Sequence, residues 1–314
     1  MPLPLLVLGG GDRQPHRMPP RGRDKHPLTG CKGADVRIGD RRLIEVVLER
    51  FAGFSEFLGP IYVAGPAAVY QAVPPAVLID TDADFGHNLQ AGIERLRRDH
   101  PGSPIAVTTC DVLPEAADLR GMLEHYRANA PCDMWFPVVG LPADEHALGE
   151  SAWKPRYRVA RSSGEPVRVL PGHLLIFDPE AMRLAFLYRL LQLAYESRNR
   201  SVRYRRWYMT RRVAGAILVH DWHELVHGRL PTLAIDVLFA LRAARRLDRG
   251  FLREQDVERA LRRLFLHRSY RVAHPERRTL VPILQGLSLA RDIDTVEEAA
   301  ALGAVSIPTS VAPG

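Results

Sequence analysis

The sequence predicts an α/β protein built on a mainly parallel sheet, with a largely helical insertion. Short apolar runs alternate with amphipathic helical segments through the first half, as strand–helix repeats do. After about residue 150 the pattern turns helical and arginine-rich, and near the end the strand–helix alternation resumes. These observations divide the chain into a core of residues 1–149 and 281–314 and an insertion of residues 150–280, a hairpin plus helices, read as an acceptor-binding or lid region.

Each element has its own signal. "LPLLVLG" (3–9) is an unbroken apolar run of strand length. In "RRLIEVVLERFAGF", Leu43, Val46, Val47 and Phe51 fall on one helical face. "PIYVAG" reads as the next strand, "HNLQAGIERLRRDH" as a helix, "PIAVTTCD" as a strand, "LRGMLEHYRA" as a helix and "DMWFPVVG" as a strand. "KPRYRVARSSGEPVRVL" alternates like a hairpin turning at Ser-Ser-Gly-Glu, and "HLLIFD" is a further strand. Helices are expected over "PEAMRLAFLYRLLQLAYES", "PTLAIDVLFALRAARRL" and "EQDVERALRRLFL". Near the end, "LSLARDIDT" leads into "VEEAAAL", where Thr295 and Glu298 form a T-x-x-E capping box, and the tail "SIPTSVAPG" is expected to be disordered.

With 314 residues, 46% hydrophobic and 25% charged, the chain has the composition of a soluble globular protein. Cys31, Cys110 and Cys132 are odd in number and widely spaced, which suits a reducing compartment and not a disulfide framework. The opening "MPLPLLVLGGGD" reads as a first strand and not a signal peptide, and no apolar run reaches the ~18–20 residues of a membrane span. A cytoplasmic location is the expectation. The net charge is +7, yet only Lys25, Lys32 and Lys154 among its 43 basic residues are lysines. Each lysine therefore stands out, because a compact ammonium and a planar guanidinium do different work.

The candidate chemistry begins at "LGGGD". Glycines after a first strand let backbone N–H groups approach phosphate oxygens, although the pattern is neither GxGxxG nor a GxxxxGK[ST] loop. At 32–43 the chain reads "KGADVRIGDRRL", with Lys32 seven residues before Gly39 and an apolar helix following. "DFGHNLQAGIERL", "VTTCDV" and "ARDIDTVEEAAAL" come later in order. This ordered set resembles the MobA-like NTP transferases, nucleotidyltransferases of the GT-A-type, Rossmann-like three-layer fold. The resemblance covers about residues 1–140 and 285–303, and the loop from Gly11 to Lys32 is longer than the family's usual one.

What the resemblance implies is specific. Leu8, Gly9, Gly10, Gly11 and Arg17 would form the phosphate loop, with Gly86 and Asn88 near the base. Lys32 would be the catalytic cation. Asp111 and Asp294, with Asp292 beside the latter, would hold Mg²⁺. The reaction implied is transfer of an NMP group from an NTP to a phosphorylated small-molecule acceptor, with release of pyrophosphate. A molybdenum-cofactor or sugar-1-phosphate nucleotidyltransferase specifically is one alternative, and a nucleotide-binding protein without catalysis is another. Lys154 and Arg156, in "WKPRYRV", are candidates for the acceptor phosphate. No nucleic-acid-binding module is recognisable.

Two features fall outside this set. "HELVH" (223–227) has the spacing that puts His223, Glu224 and His227 at a zinc peptidase site. Gly228 and Pro231 curtail its helix, and no third ligand follows at a suitable spacing, so an accidental match is the favoured reading. The run Arg198, Arg200, Arg203, Arg205, Arg206, Arg211 and Arg212 is interleaved with Tyr204, Trp207 and Tyr208. It reads as a solvated face, as a surface for anions, or as a basic amphipathic helix lying on a membrane.

Overall fold

Burial along the first strand sets the layers. In β1 (Leu3–Leu8), Leu3, Leu5 and Val7 join one apolar cluster, while Leu6 and Leu8 join another. Successive side chains of a strand point to opposite faces, so a strand buried throughout requires cover on both sides. Helices α1 (Leu43–Ala52) and α3 (Ala116–Asn129) supply one cover, and α2 (Phe85–Asp99) with α4 (Leu184–Ser197) supplies the other. The computed structural model describes residues 2–12, 15, 17–71, 76–81, 85–197, 202–228, 230–248 and 252–306. Arg198, Arg200 and the tail from 307 onward lie outside the described residues.

The central sheet contains β1, β2 (Phe57–Gly65), β3 (Val77–Asp80), β4 (Ile105–Thr109), β5 (Met134–Trp135), β6 (Leu175–Phe177) and β7 (Thr279–Leu280) in the order 3-2-1-4-6-5-7. The neighbours β3, β2, β1 and β4 are mutually parallel, and only β6 runs against its neighbours. This is the expected α/β three-layer architecture with a mainly parallel sheet. The expected strand "DMWFPVVG" divides at Phe136-Pro137. Its first part is β5, and Val138–Gly140 enters a second sheet with Ile283–Leu284, Pro166–Pro171 and Tyr157–Ala160. The division follows from Pro137, which has no N–H to extend one ladder.

Residues 150–280 contribute to both parts of the molecule. β6 and β7 pair inside the central sheet, whereas α5 (Val202–Val226), α6 (Leu233–Asp248) and α7 (Glu254–Phe265) stand outside it. The 25-residue α5 contains most of the basic run and the start of "HELVH", and it ends before His227. No helix among the described residues is long and apolar enough to cross a membrane.

Candidate active site

Residues distant in sequence meet beyond the carboxyl ends of β1 and β4, where open parallel sheets collect ligands. Leaving β1, the chain turns through Gly9, Gly10 and Gly11 to Asp12. A Cβ on Gly9 would lie 2.8 Å from the Tyr70 ring, so only glycine fits there. Gly33, which follows Lys32, is as confined: a Cβ there would sit 3.0 Å from Cys110 Sγ, at the end of β4. That close approach brings the short helix Lys32–Asp35 against the strand that delivers Asp111.

The C-terminal segment is tied to the same place by its backbone. The Ile293 N–H donates to the Asp111 carbonyl at 2.9 Å, and the Leu28 N–H donates to the Asp294 carbonyl at 2.8 Å. The expected capping box then fixes the bend: the Glu298 N–H donates to Thr295 Oγ1 at 3.2 Å and the Thr295 N–H to Glu298 Oε2 at 3.1 Å. Glu298 Oε2 also accepts the Asp294 N–H at 2.8 Å. A motif that reads locally as a helix start thereby also orients Asp294.

The side chains form one charged centre. Lys32 Nζ donates to Asp294 Oδ1 at 2.5 Å and to Asp111 Oδ2 at 3.1 Å, and lies 4.0 Å from Asp12 Oδ2. Lys154 Nζ donates to Asp292 Oδ1 at 2.6 Å, the Asp292 carbonyl at 2.8 Å and Asp294 Oδ2 at 2.8 Å. It also stands 3.3 Å from Glu298 Oε1, and His173 Nε2 is 3.5 Å from Asp292 Oδ1. Burial opposes the charge on both lysines. The carboxylates of Asp111, Asp294, Asp292 and Asp12 outweigh it at Lys32, and those of Asp292, Asp294 and Glu298 outweigh it at Lys154, so both stay charged well above the usual lysine range. Burial likewise disfavours the Asp294 carboxylate, yet Lys32 and Lys154 hold it far below the usual range.

Oxygens of Asp111, Asp292 and Asp294 lie within 4.8 Å of one another, the one such group of three possible ligands among the described residues. Asp111 Oδ1 is buried without a hydrogen-bond partner among the described residues. Clustered hard oxygens with an orphaned acceptor fit a divalent cation such as Mg²⁺. The rings of His223 and His227 pack on each other at 4.1 Å on an exposed surface, and no third ligand atom joins them among the described residues.

The other expected residues are placed unequally. Leu8 is buried at the end of β1. Asn88 is buried under the loop: its Nδ2 would lie 3.3 Å from a Cβ on Gly10 and has no partner among the described residues, while its Oδ1 accepts from Thr81. Gly86 instead backs onto Gln192 of α4, so it serves helix packing. Arg17 is exposed. Lys154, expected at an acceptor phosphate, turns into the carboxylate centre, because Asp292, Asp294 and Glu298 surround its ammonium in a site that leaves it 6% exposed. Arg156 keeps an outward position and donates to the Ala152 carbonyl at 2.7 Å. It lines an open cleft of about 660 Å³ with Arg21, Lys25, Arg158 and Arg168, and Glu150 is the one acid in that lining. Trp153 lies in the wall, and the Lys154 ammonium is 4.9 Å from its ring.

The sequence pattern pointed to no role for Asp12, His173 or Tyr195, and gave Glu298 only its place in the capping box. Asp12 closes the quoted "LGGGD", and a carboxylate immediately after the glycines was the available signal. Tyr195, on α4, donates to the Gly11 carbonyl at 3.2 Å and to Asp12 Oδ1 at 3.4 Å, a contact that only the packing of α4 reveals.

No protein-family model and no curated protein matches the sequence. Among solved structures, the chain is similar to a hypothetical transferase from Thermus thermophilus, 17% identical, with a TM-score of 0.51 over 95% of this chain and 100% of that one. It also aligns with a CMP:2-keto-3-deoxy-manno-octonic acid synthetase complexed with CTP, 13% identical, with a TM-score of 0.40 over 69% of this chain and 86% of that one. A mannose-1-phosphate geranyltransferase, also from Thermus thermophilus, is 18% identical, with a TM-score of 0.42 over 74% of this chain and 69% of that one. The first of these likenesses establishes the shared fold.

Proposed function

We propose that the chain is a nucleotidyltransferase of the MobA-like kind, moving an NMP group from an NTP to a phosphorylated small-molecule acceptor. The observation that carries this reading is the junction of Lys32 with Asp111, Asp292 and Asp294 beside the glycine turn after β1. An acceptor phosphate oxygen attacks the α-phosphorus and forms the new P–O bond. The bond from the α-phosphorus to the bridging oxygen breaks, and pyrophosphate leaves with the electron pair. Negative charge grows on the transferring and leaving groups, so fixed positive charge and alignment supply most of the rate.

Lys32 places one compact charge at this point, and its helix is held against β4 by Gly33. The N–H groups of Gly10 and Gly11 add dipoles, and the buried Asn88 Nδ2 beneath them, without a partner among the described residues, is a donor for the nucleotide. Asp111, Asp294 and Asp292 would hold Mg²⁺, which when bound neutralises charge on the α-phosphate. Lys154 keeps Asp292 and Asp294 close together despite their like charges. The cationic cleft beside Trp153 supports a phosphorylated acceptor, and a sugar-1-phosphate or the molybdenum cofactor's pterin is the narrower alternative that the resemblance offers.

The test is a pyrophosphate-release screen of each NTP against sugar-1-phosphates, molybdopterin and other phosphorylated metabolites, with Mg²⁺ or a chelator. One pair should turn over with Mg²⁺ only, and Asp111→Asn should lower kcat/KM by at least ~10²-fold. Full turnover by Asp111→Asn would remove the proposed site. Silence with every pair would remove the proposed activity.

A further inference from the structure

The outer faces of α5 and α6 are inverted relative to a water-facing helix. Along the last three turns of α5, Leu218, Val219, Trp222, Leu225 and Val226 point outward, 53–72% exposed. His220, Asp221 and Glu224 occupy the more covered side. On α6, Ile235, Leu238 and Leu241 are 52–59% exposed, while Asp236 is buried. The two helices are joined at this end: Asp221 accepts the N–H groups of Leu233 and Ala234 at 3.1 and 3.0 Å. Leu230, in the connection, is also exposed. A soluble helix normally buries its apolar stripe, so an apolar face of this extent marks a docking surface.

Its border is cationic. Arg211, Arg212, Arg242, Arg245, Arg246 and Arg268 are exposed around it, and the acids Asp221, Glu224 and Asp236 are all at least half covered. A cleft of about 410 Å³ opens at the edge, between exposed Ile235 and Val272 and the arginines Arg263, Arg268 and Arg271. Beneath it, the one carboxylate of Asp236 accepts from Arg183, Arg263 and Arg271 at 3.0, 3.1 and 3.0 Å. Arg183 is 3% exposed, and the Nε atoms of Arg183 and Arg271 are buried without partners among the described residues. This hub holds more positive than negative charge, and an anion in the cleft would balance it.

We propose that the helical insertion docks on the surface of an anionic phospholipid bilayer, with the apolar faces of α5 and α6 at the acyl boundary and a lipid phosphate against Arg263, Arg268 and Arg271. Charge complementarity selects this occupant: a second copy would press one arginine border against another, whereas an anionic surface neutralises both border and hub. Trp207 and Trp222, 56% and 68% exposed, are the residue type that settles at such interfaces. The helices lie on the surface, since neither is apolar enough to span it.

The full chain is tested by sedimentation with phosphatidylcholine vesicles, with and without about one-third phosphatidylglycerol. Binding to the anionic vesicles alone, weakening with salt, is expected. Tryptophan fluorescence should shift to the blue and be quenched by brominated acyl chains, because Trp135 and Trp153 are already buried. Trp222→Glu and Leu225→Glu, both at exposed positions, should each lower partitioning at least ~10-fold with unchanged circular dichroism. Arg268→Glu should weaken binding, and millimolar inorganic phosphate should compete only in part. Equal or absent binding of the unaltered chain to both vesicles would overturn the proposal. So would full competition by inorganic phosphate, or a dimer abolished by Trp222→Glu with no vesicle binding.

Discussion

Replacing Lys32 by methionine separates its electrostatic work from its bulk. Its ammonium lies 3.1 Å from Asp111 Oδ2 and 2.5 Å from Asp294 Oδ1, with its side chain 10% exposed. At an effective dielectric of about 20, the attraction to Asp111 alone is about 5 kcal/mol before desolvation. Leaving one side of a buried pair uncompensated costs about 3–5 kcal/mol. The carboxylates are about one-fifth exposed and Lys154 still faces Asp294, which puts the loss near the lower end, about 3 kcal/mol. In chelator, Lys32→Met should therefore melt about 4–5 °C below the parent chain. Mg²⁺ should raise its melting temperature more than the parent's, because Lys32 no longer competes for Asp111 and Asp294. Meanwhile kcat/KM should fall by ~10²–10³-fold. Differential scanning fluorimetry and pyrophosphate release read these outcomes together. An unchanged midpoint in chelator, or an equal response to Mg²⁺ in both proteins, would refute the reasoning.

The same centre sets a pH window. The Asp294 pKa is depressed, so its stabilisation is full above the ordinary carboxylate value near 3.8 and declines as pH falls below it; the Asp294→Asn variant should lose that acid-side slope in denaturant titrations. His125 is held neutral by burial, and its Nδ1 accepts the Trp135 indole N–H at 3.1 Å. Its depressed pKa means stability is full above the ordinary value of 6.5 and falls as pH drops below it, and His125→Gln should flatten that dependence. Gly9→Ala would press a methyl into Tyr70, so it should lower stability by about 1–3 kcal/mol in urea and raise KM for the NTP more than it lowers kcat. Asp236→Asn strips the charge from the carboxylate that three arginines share, with an expected loss of about 3–5 kcal/mol by urea unfolding.

The sequence by itself determined the α/β class, the succession of strands and helices in the first half and the capping box at Thr295. Each depends on short-range periodicity or on residues a few positions apart, which the local chain enforces. It also singled out Lys32, Asp111, Asp292 and Asp294, because their types and order carry a pattern independent of distance. The scarcity of lysine was a further clue: two of three lysines enter the charged centre, and Lys25 lines the adjacent cleft. Tertiary structure decided what each does there. Lys154 and Arg156 are two residues apart, yet one amine turns inward to three carboxylates and the other side chain lines the cleft. The bridge between Val112 and Asp292 seats Asp292 beside Asp111 across more than half the length of the chain, and Tyr195 reaches Gly11 only because α4 packs on α2 and joins the apolar cluster on that face of β1. The inverted faces of α5 and α6 were equally hidden, since periodicity shows that a helix has an apolar stripe and packing alone shows which way that stripe points.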